Sequence, residues 1–433
     1  MKKNKFLSVF KDCLYVVVMA VALLLLVDFL FGKKILSMAR KEPPKEAFRV
    51  PHPVYHHSLA PSFDGLGNWG NWTYRVCTDT SGFKVDCLKK GSLAKTFDIA
   101  FMGDSFTEGV GLPYEKSFVG MVAKDNPNLS IANLGVVSYS PSIYLTKLKS
   151  LYSEGYRFGH VVVFIDIGDI QDEALTYFIS NGRVLTTYEQ MPSEIIPKLR
   201  RHASQQLPLL GFLWTKIKEA AKNSTAPIAQ TQNENRISIA NSPPEINPSP
   251  FSAQKTASQS TIAPALASYP FISKLSAESR TRIAHPISPT PSNTAPAISI
   301  YDHNYSRGEW TYNPKSSDYG VLGVAGAIEK SLALMNDVYE LVKSHGGEFS
   351  VGVYPWPSQI KYDREDSLQS RIWKDFCIDR CLHFYDTYPA FFDLVQAKGS
   401  DAIVLEYYFG GDMHFNEKGN RVIADTINHV GIK

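Results

Sequence analysis

Net charge is nearly absent from this 433-residue chain, where 45 lysines and arginines face 42 aspartates and glutamates for a formal +3. With no cationic excess and no long basic stripe interleaved with aromatics, nothing argues for a nucleic-acid partner. Cysteine is scarce, at five residues. Cys13 stands apart, and the others form two close pairs, Cys77 with Cys87 and Cys377 with Cys381. Nothing in that spacing resembles a four-cysteine zinc site with tight knuckles. It suits two short-range disulfides, which persist outside a reducing cytoplasm, with four buried thiols as the alternative. Aromatic residues are plentiful at 12%. They suit a packed domain or a sugar-facing cleft and do not choose between them. The length is ample for a sizeable core.

One long apolar run is present. CLYVVVMAVALLLLVDFLF, residues 13–31, follows the lysine-bearing start MKKNKFLSVFKD. At 1.5 Å per residue it spans about 28 Å, close to a bilayer core. Asp28, its one charge, lies near the far end, within reach of headgroups. Gly32, Lys33 and Lys34 follow where a cleaved signal would carry small residues. The expectation is an uncleaved single-pass anchor, with a removed signal or a buried core helix as alternatives. Lys2, Lys3, Lys5 and Lys11 before the run nearly balance Lys33, Lys34, Arg40 and Lys41 after it, so flanking charge does not orient it. The paired cysteines favour a body facing the periplasm or cell surface. The expected setting is therefore a bacterial inner membrane, with residues 1–12 as a cytoplasmic tail.

Residues 32–95 mix Pro, Gly, His and aromatics with little periodicity and read as a stem and an irregular leading segment. Within it, YRVCTDTSGFKVDC reads as a small hairpin turning at SGF and closed by Cys77 and Cys87. Residues 96–221 alternate apolar runs with mixed segments. FDIAFMG, LSIANLG and HVVVFIDIG read as strands, and KSFVGMVAKDN and SIYLTKLKSLYSEG as helices. This is βαβ rhythm, and short continuous apolar runs suit a parallel sheet covered on both faces. Residues 222–300, rich in Pro, Ser, Ala, Asn and Thr, hold no period and little sign of a repeat. They read as a disordered insertion of unassigned role. Order resumes over residues 301–433. GVAGAIEKSLALMNDVYELVKSHGG reads as a helix, EFSVGVYPW and DAIVLEYY as strands, and NEKGNRVIADTINHV as a closing helix. The two halves are expected to form one α/β domain interrupted by a loop rather than two domains.

Chemistry concentrates at two points. Ser105 follows the strand-like IAFMGD, where Gly103 permits a tight turn. A serine there is an ordinary helix cap, or a nucleophile beside backbone N–H groups able to hold an oxyanion. A serine hydroxyl needs a base, and the base an orienter. YYFGGDMHFNEKGN supplies Asp412 and His414 in a loop between strand-like and helical segments. Side chains at i and i+2 share a face in extended chain, so Asp412 is placed to hold His414.

FMGDSFTEG, ANLG, the third strand end IDIGD and GDMHFNEKG together resemble the SGNH, or GDSL-type, hydrolases, over residues 96–180 and 345–430. The resemblance implies a three-layer α/β/α flavodoxin-like sheet and a Ser-His-Asp site for ester hydrolysis or acyl transfer. It matches Ser105 to the nucleophile, His414 to the general base and Asp412 to its partner. It gives the oxyanion to the backbone N–H groups of Ser105 and Gly135. Two departures stand out. Gly168, followed by Asp169, occupies the place of an asparagine donor, and removing such a donor costs about 3 kcal/mol if nothing replaces it. The last block is one residue shorter than the usual Asp-x-x-His. Asp104, Gly168 and Asp169 are carried as supporting positions.

Asp166, Asp169, Asp172 and Glu173 cluster in IDIGDIQDE and read as a helix start favoured by the dipole, a support near Ser105 or a metal site for phosphoester hydrolysis. No metal or cofactor is assigned. YPWPSQI, residues 354–360, reads equally as a sugar platform or a packed corner. Anchor and fold analogy together point to O-acetyl groups of cell-envelope carbohydrate as substrate, with possible partners among envelope polysaccharide assembly proteins. A lipid ester hydrolase and a non-catalytic polysaccharide-binding component are the alternatives.

Overall fold

A computed structural model describes residues 15, 19, 23–31, 47–187, 269–285, 307–313 and 319–432. The chain divides into two units, residues 1–45 with 191–256, and residues 46–190 with 257–433. In the first unit, residues 23–31 are helical. Among the described residues no helix is long and apolar enough to cross a membrane. The anchor expected over residues 13–31 is corrected accordingly. With it go the membrane-anchored form of the family resemblance, the inner-membrane partner and the single-pass localisation. Residues 1–12 and 32–46, and the rest of the apolar run, lie outside the described residues.

The second unit begins with two ribbons where an irregular segment was expected. β1 (Arg49–His52) pairs antiparallel with β2 (His56–Leu59), and β3 (Asp64–Trp69) with β4 (Trp72–Cys77). Gly70 and Asn71 alone connect the second pair, and a two-residue loop fixes the register so that Trp69 faces Trp72. The expected hairpin through SGF reduces to one bridge, Thr78 with Lys84, since β4 takes β3 as its partner. Cys77–Cys87 and Cys377–Cys381 are disulfides.

The βαβ part follows. β5 (Thr96–Met102) leads to α1 (Ser105–Glu108), α2 (Phe118–Asp125) and β6 (Ile131–Asn133). Then come α3 (Pro141–Ser153), β7 (Arg157–Phe164) and α4 (Asp169–Leu175). A third antiparallel ribbon, β8 (Tyr177–Ser180) with β9 (Arg183–Thr186), closes this stretch. Within the insertion expected to be disordered, residues 269–285 carry α5 (Ala277–Ala284) and bury Ile272, Leu275 and Ile283. That expectation is corrected for these residues, because three apolar side chains find a core to enter. The remainder of 222–300 lies outside the described residues. The C-terminal part is α6 (Gly323–Ser344), β10 (Glu348–Val353), α7 (Pro357–Tyr362), α8 (Leu368–Cys377), β11 (Phe384–Asp386), α9 (Tyr388–Lys398), α10 (Ser400–Tyr407) and α11 (Glu417–Val430).

Five strands form one sheet in the order β11-β10-β7-β5-β6, with every neighbouring pair parallel. Val161, Val162, Val163 and Phe164 of β7 are all fully buried, as a strand covered on both faces requires. α6 packs against α3 and α4, and α11 against α2. Among the described residues the fold is thus a mixed α/β arrangement of one parallel sheet and three antiparallel ribbons, and the expected architecture is corrected in its transmembrane helix and its wholly disordered insertion. DAIVLEYY, expected as a strand, is helix α10: Ile403 and Val404 are buried while Leu405 is exposed. The outer strand is β11, whose three residues are too few to show a period.

The Cys77–Cys87 bridge closes a loop with a sequence separation of 10 at the foot of the β3–β4 ribbon. Loop-entropy reasoning gives about 3 kcal/mol for a closure of that size. Replacing both cysteines by serine is expected to lower the unfolding free energy by that amount, read as a fall in the urea midpoint. An unchanged midpoint would show that packing alone holds the ribbon.

Candidate active site

Ser105 is placed by a turn that only glycine allows. A Cβ on Gly103 would lie 2.1 Å from Thr107 Oγ1 and 2.8 Å from the Phe164 carbonyl oxygen. β5 therefore ends against β7, and the chain turns directly into α1. Asp104 caps α1 by accepting from the Phe106 N–H at 2.9 Å. Ser105 is the first helical residue, where an N–H has no partner within the helix. The first connection leaves β5 towards β6 on one side, and the chain returns to β7 on the other. In open α/β sheets the crevice at such a reversal, beyond the carboxyl ends of the strands, is where ligands bind.

Asp412 and His414 reach that crevice from the other end of the chain. Their loop is pinned by Phe409 N–H donating to the His414 carbonyl at 2.9 Å and Asp412 N–H donating to the Phe409 carbonyl at 3.1 Å. Asp412 Oδ1 accepts from the His414 backbone N–H at 2.9 Å and stands 2.5 Å from His414 Nδ1. The opposite ring nitrogen, Nε2, lies 2.8 Å from Ser105 Oγ. Serine, imidazole and carboxylate thus form one continuous line, and the one-residue-shorter block is absorbed by the bend between Asp412 and His414. Nδ1 facing a carboxylate carries the hydrogen, which leaves Nε2 as the acceptor. Burial works to raise the Asp412 carboxyl, but the hydrogen bonds and charge of His414 prevail and hold it below the usual carboxylate range. Ser105 and His414 are each 6% exposed.

Trp69 was not foreseen. From the tip of the β3–β4 ribbon its Nε1 donates to Asp412 Oδ2 at 2.9 Å, and its ring meets the His414 ring edge-on at 4.8 Å. Phe106 packs against the same imidazole at 4.5 Å. No motif marks Trp69; the paired tryptophans of GNWGNW signal a hairpin tip at most.

Beneath the serine lie three carboxylates. Oxygens of Asp104, Asp166 and Asp169 lie within 4.8 Å of one another, all buried. Burial, and then the charge of Asp166, push Asp104 up to about 7. Burial pushes Asp166 up to about 6 and, aided by Asp166 and Asp104, holds Asp169 well above the ordinary range. Each accepts from protein donors. Tyr354 OH serves Asp104 at 3.1 Å, Trp356 Nε1 serves Asp166 at 2.7 Å and Tyr144 OH serves Asp169 at 2.7 Å. The acidic run is therefore split. Asp172 pairs with Arg307 at 2.7 Å, and Glu173 accepts from the Ser140 and Ser142 hydroxyls at 2.6 and 2.7 Å. YPWPSQI is a packed corner, because Tyr354 and Trp356 are buried behind these carboxylates.

Gly135, expected as a donor, and Gly168, carried as a support, both have their N–H groups engaged. Gly135 donates to Asn133 Oδ1 at 3.0 Å, and Gly168 to Asp166 Oδ1 at 2.6 Å. Gly135 has a steric reason to be glycine, since a Cβ would stand 2.6 Å from the Glu108 nitrogen. A Cβ on Gly168 would meet Arg307 Nη2 at 2.8 Å, so a guanidinium fills the space beside this position.

No family model matches the chain, and no curated protein matches it. Among solved structures, a member of the lipolytic protein G-D-S-L family from Veillonella parvula is similar at a TM-score of 0.33 and 11% identity, over 78% of this chain and 98% of that one. A likeness this distant carries no assignment of function or residues.

The Trp69 hydrogen bond ends on a carboxylate, and such bonds contribute about 1.5–3 kcal/mol. Trp69→Phe keeps an aromatic ring beside His414 and deletes the donor. The expected result is a fall of about 10-fold or more in the labelling rate of Ser105 by a fluorophosphonate, in a chain that still folds with its thermal midpoint lowered by a few degrees. A wild-type rate would show that Asp412 needs no second donor.

Proposed function

We propose that this protein is a serine esterase or O-acyltransferase that works through an acyl-enzyme on Ser105. The observation that carries the reading is the unbroken line from Asp412 through His414 to Ser105, with contacts of 2.5 and 2.8 Å. A buried hydroxyl in line with an oriented imidazole is an activated nucleophile.

In this reading His414 Nε2 takes the Ser105 proton as Oγ attacks an ester carbonyl. Asp412 stabilises the imidazolium that forms. Charge gathers on the carbonyl oxygen, and the Ser105 N–H at the head of α1 faces it. Gly135 is the second candidate donor, and its use requires its N–H to leave Asn133. His414 then protonates the departing alcohol and the acyl group stays on Oγ. Water completes hydrolysis, or a second hydroxyl completes transfer. Asp104, Gly168 and Asp169 support the serine from below.

The substrate class is an acyl ester. Envelope carbohydrate as its bearer rested on the anchor together with fold analogy, and without the anchor it is not carried further. A non-catalytic binding role is the second reading, and the committed Gly135 N–H is the observation on its side.

A fluorophosphonate probe separates the two. Wild-type protein is expected to label at one serine, and Ser105→Ala to abolish labelling. His414→Ala is expected to lower kcat/KM on an aryl acetate by at least about 10⁴-fold, as loss of a triad base does elsewhere. A wild-type chain inert to the probe would sink the enzymatic reading.

A further inference from the structure

Ser105 Oγ has two polar neighbours, His414 Nε2 at 2.8 Å and Asp104 Oδ2 at 3.0 Å. The hydroxyl has one proton and cannot give it to both. Because Nδ1 of His414 carries its hydrogen towards Asp412, Nε2 is the acceptor that base chemistry needs. If Asp104 is ionised, two acceptors compete for one O–H. If Asp104 is a neutral acid, it donates to Oγ and the serine proton is left for His414. We propose that Asp104 acts as a protonated carboxylic acid, a positioning residue whose Oδ2–H donates to Ser105 Oγ and turns the serine hydroxyl onto His414. This rests on the reading of Ser105 as nucleophile.

The geometry assigns the proton to one oxygen. Asp104 Oδ1 already accepts twice, from the Phe106 N–H at 2.9 Å and from Tyr354 OH at 3.1 Å. Only Oδ2 is left to carry a hydrogen, and Oδ2 faces the serine. The surroundings favour the neutral form. Asp166 and Asp169, following β7, bring two more buried carboxyls within 4.8 Å. Tyr144 from α3 and Tyr354 after β10 are phenols that stay protonated, both pushed well above the ordinary range by burial. Arg307 and His414 are the cationic or potentially cationic groups acting on Asp104 among the described residues. Arg307 is engaged with Asp172. Burial and the charge of Asp166 outweigh them and set Asp104 at about 7. The sign follows: below that pH the acid holds its proton and the serine faces its base. Above it, Asp104 ionises, the hydroxyl turns to Oδ2, and reactivity falls.

The test is the rate of fluorophosphonate labelling of Ser105 in the full chain from pH 5 to 9. The wild-type rate is expected to fall towards 10-fold per pH unit above the Asp104 titration, the limit for loss of one proton. Asp104→Asn offers an N–H donor at every pH, so its profile is expected to lose the alkaline fall. Tyr354→Phe removes a donor to the ionised form, so it is expected to move the fall to higher pH. A wild-type rate that does not fall up to pH 9, an alkaline limb shared by wild type and Asp104→Asn, a folded Asp104→Asn that never labels, or a limb unmoved in Tyr354→Phe overturns the proposal. In each of those results Ser105 still labels in the wild type, so the nucleophile reading survives. A wild type that never labels, or a Ser105→Ala chain that still does, overturns that reading and this inference with it.

Discussion

Parallel pairing of β5 with β7 is the constraint on which the rest of this structure depends. It brings the Gly103 turn against the end of β7, closely enough that a single Cβ would collide with the Phe164 carbonyl. From that contact follow the exit of the chain into α1, the position of Ser105 at its head and the placement of Asp166, Gly168 and Asp169 directly below. The strand order reverses beside β5, and the loop carrying Asp412 and His414 reaches Ser105 there. A parallel sheet can do this because its strand ends all point one way, so residues far apart in the chain arrive on one edge.

The same burial that shields the site raises the energy of every charge in it. Asp104, Asp166 and Asp169 are crowded in a region of low dielectric, and each is driven towards its neutral form. Asp412, 21% exposed, meets two donors on His414 and one on Trp69 and stays ionised. Two kinds of carboxyl therefore flank one serine, a charged one set against the imidazole and others driven towards the neutral form beneath Ser105. Environment, not residue type, separates their roles.

The leading ribbons make the site a property of the whole second unit rather than of its sheet alone. Trp69 holds the acid, while Trp72 packs on Phe409 of the same loop at 4.5 Å. A segment whose composition suggested a stem is thus part of the wall around His414. The β3–β4 tip sets Trp69 and Trp72 against the loop of Asp412 and His414, while Tyr55, Leu59, Tyr74 and Val76 of the leading segment join the main core.

Much of the site was legible because its signals are local. Gly-Asp-Ser after an apolar run, an acid two residues before a histidine, and cysteines four and ten residues apart each speak through neighbours in the chain. The long apolar runs of β5, β7 and β10 and the periodic segments of α6 and α11 were readable for the same reason. The N-terminal run misled, since hydropathy alone does not establish a spanning helix, and among the described residues none is long and apolar enough to cross a membrane. DAIVLEYY misled because its apolar residues are consecutive, and consecutive apolar residues fit a buried strand or one face of a short helix equally. By itself, then, the sequence determined which groups are candidates for reactive chemistry and how each turns its own backbone. Only the tertiary structure decided that Trp69 serves Asp412, that Tyr354 occupies one oxygen of Asp104, that three acids share one buried space and that the Gly135 N–H is already engaged. Those facts are distances between strands, loops and helices remote in the chain. They arise from packing many side chains at once, which no local window contains.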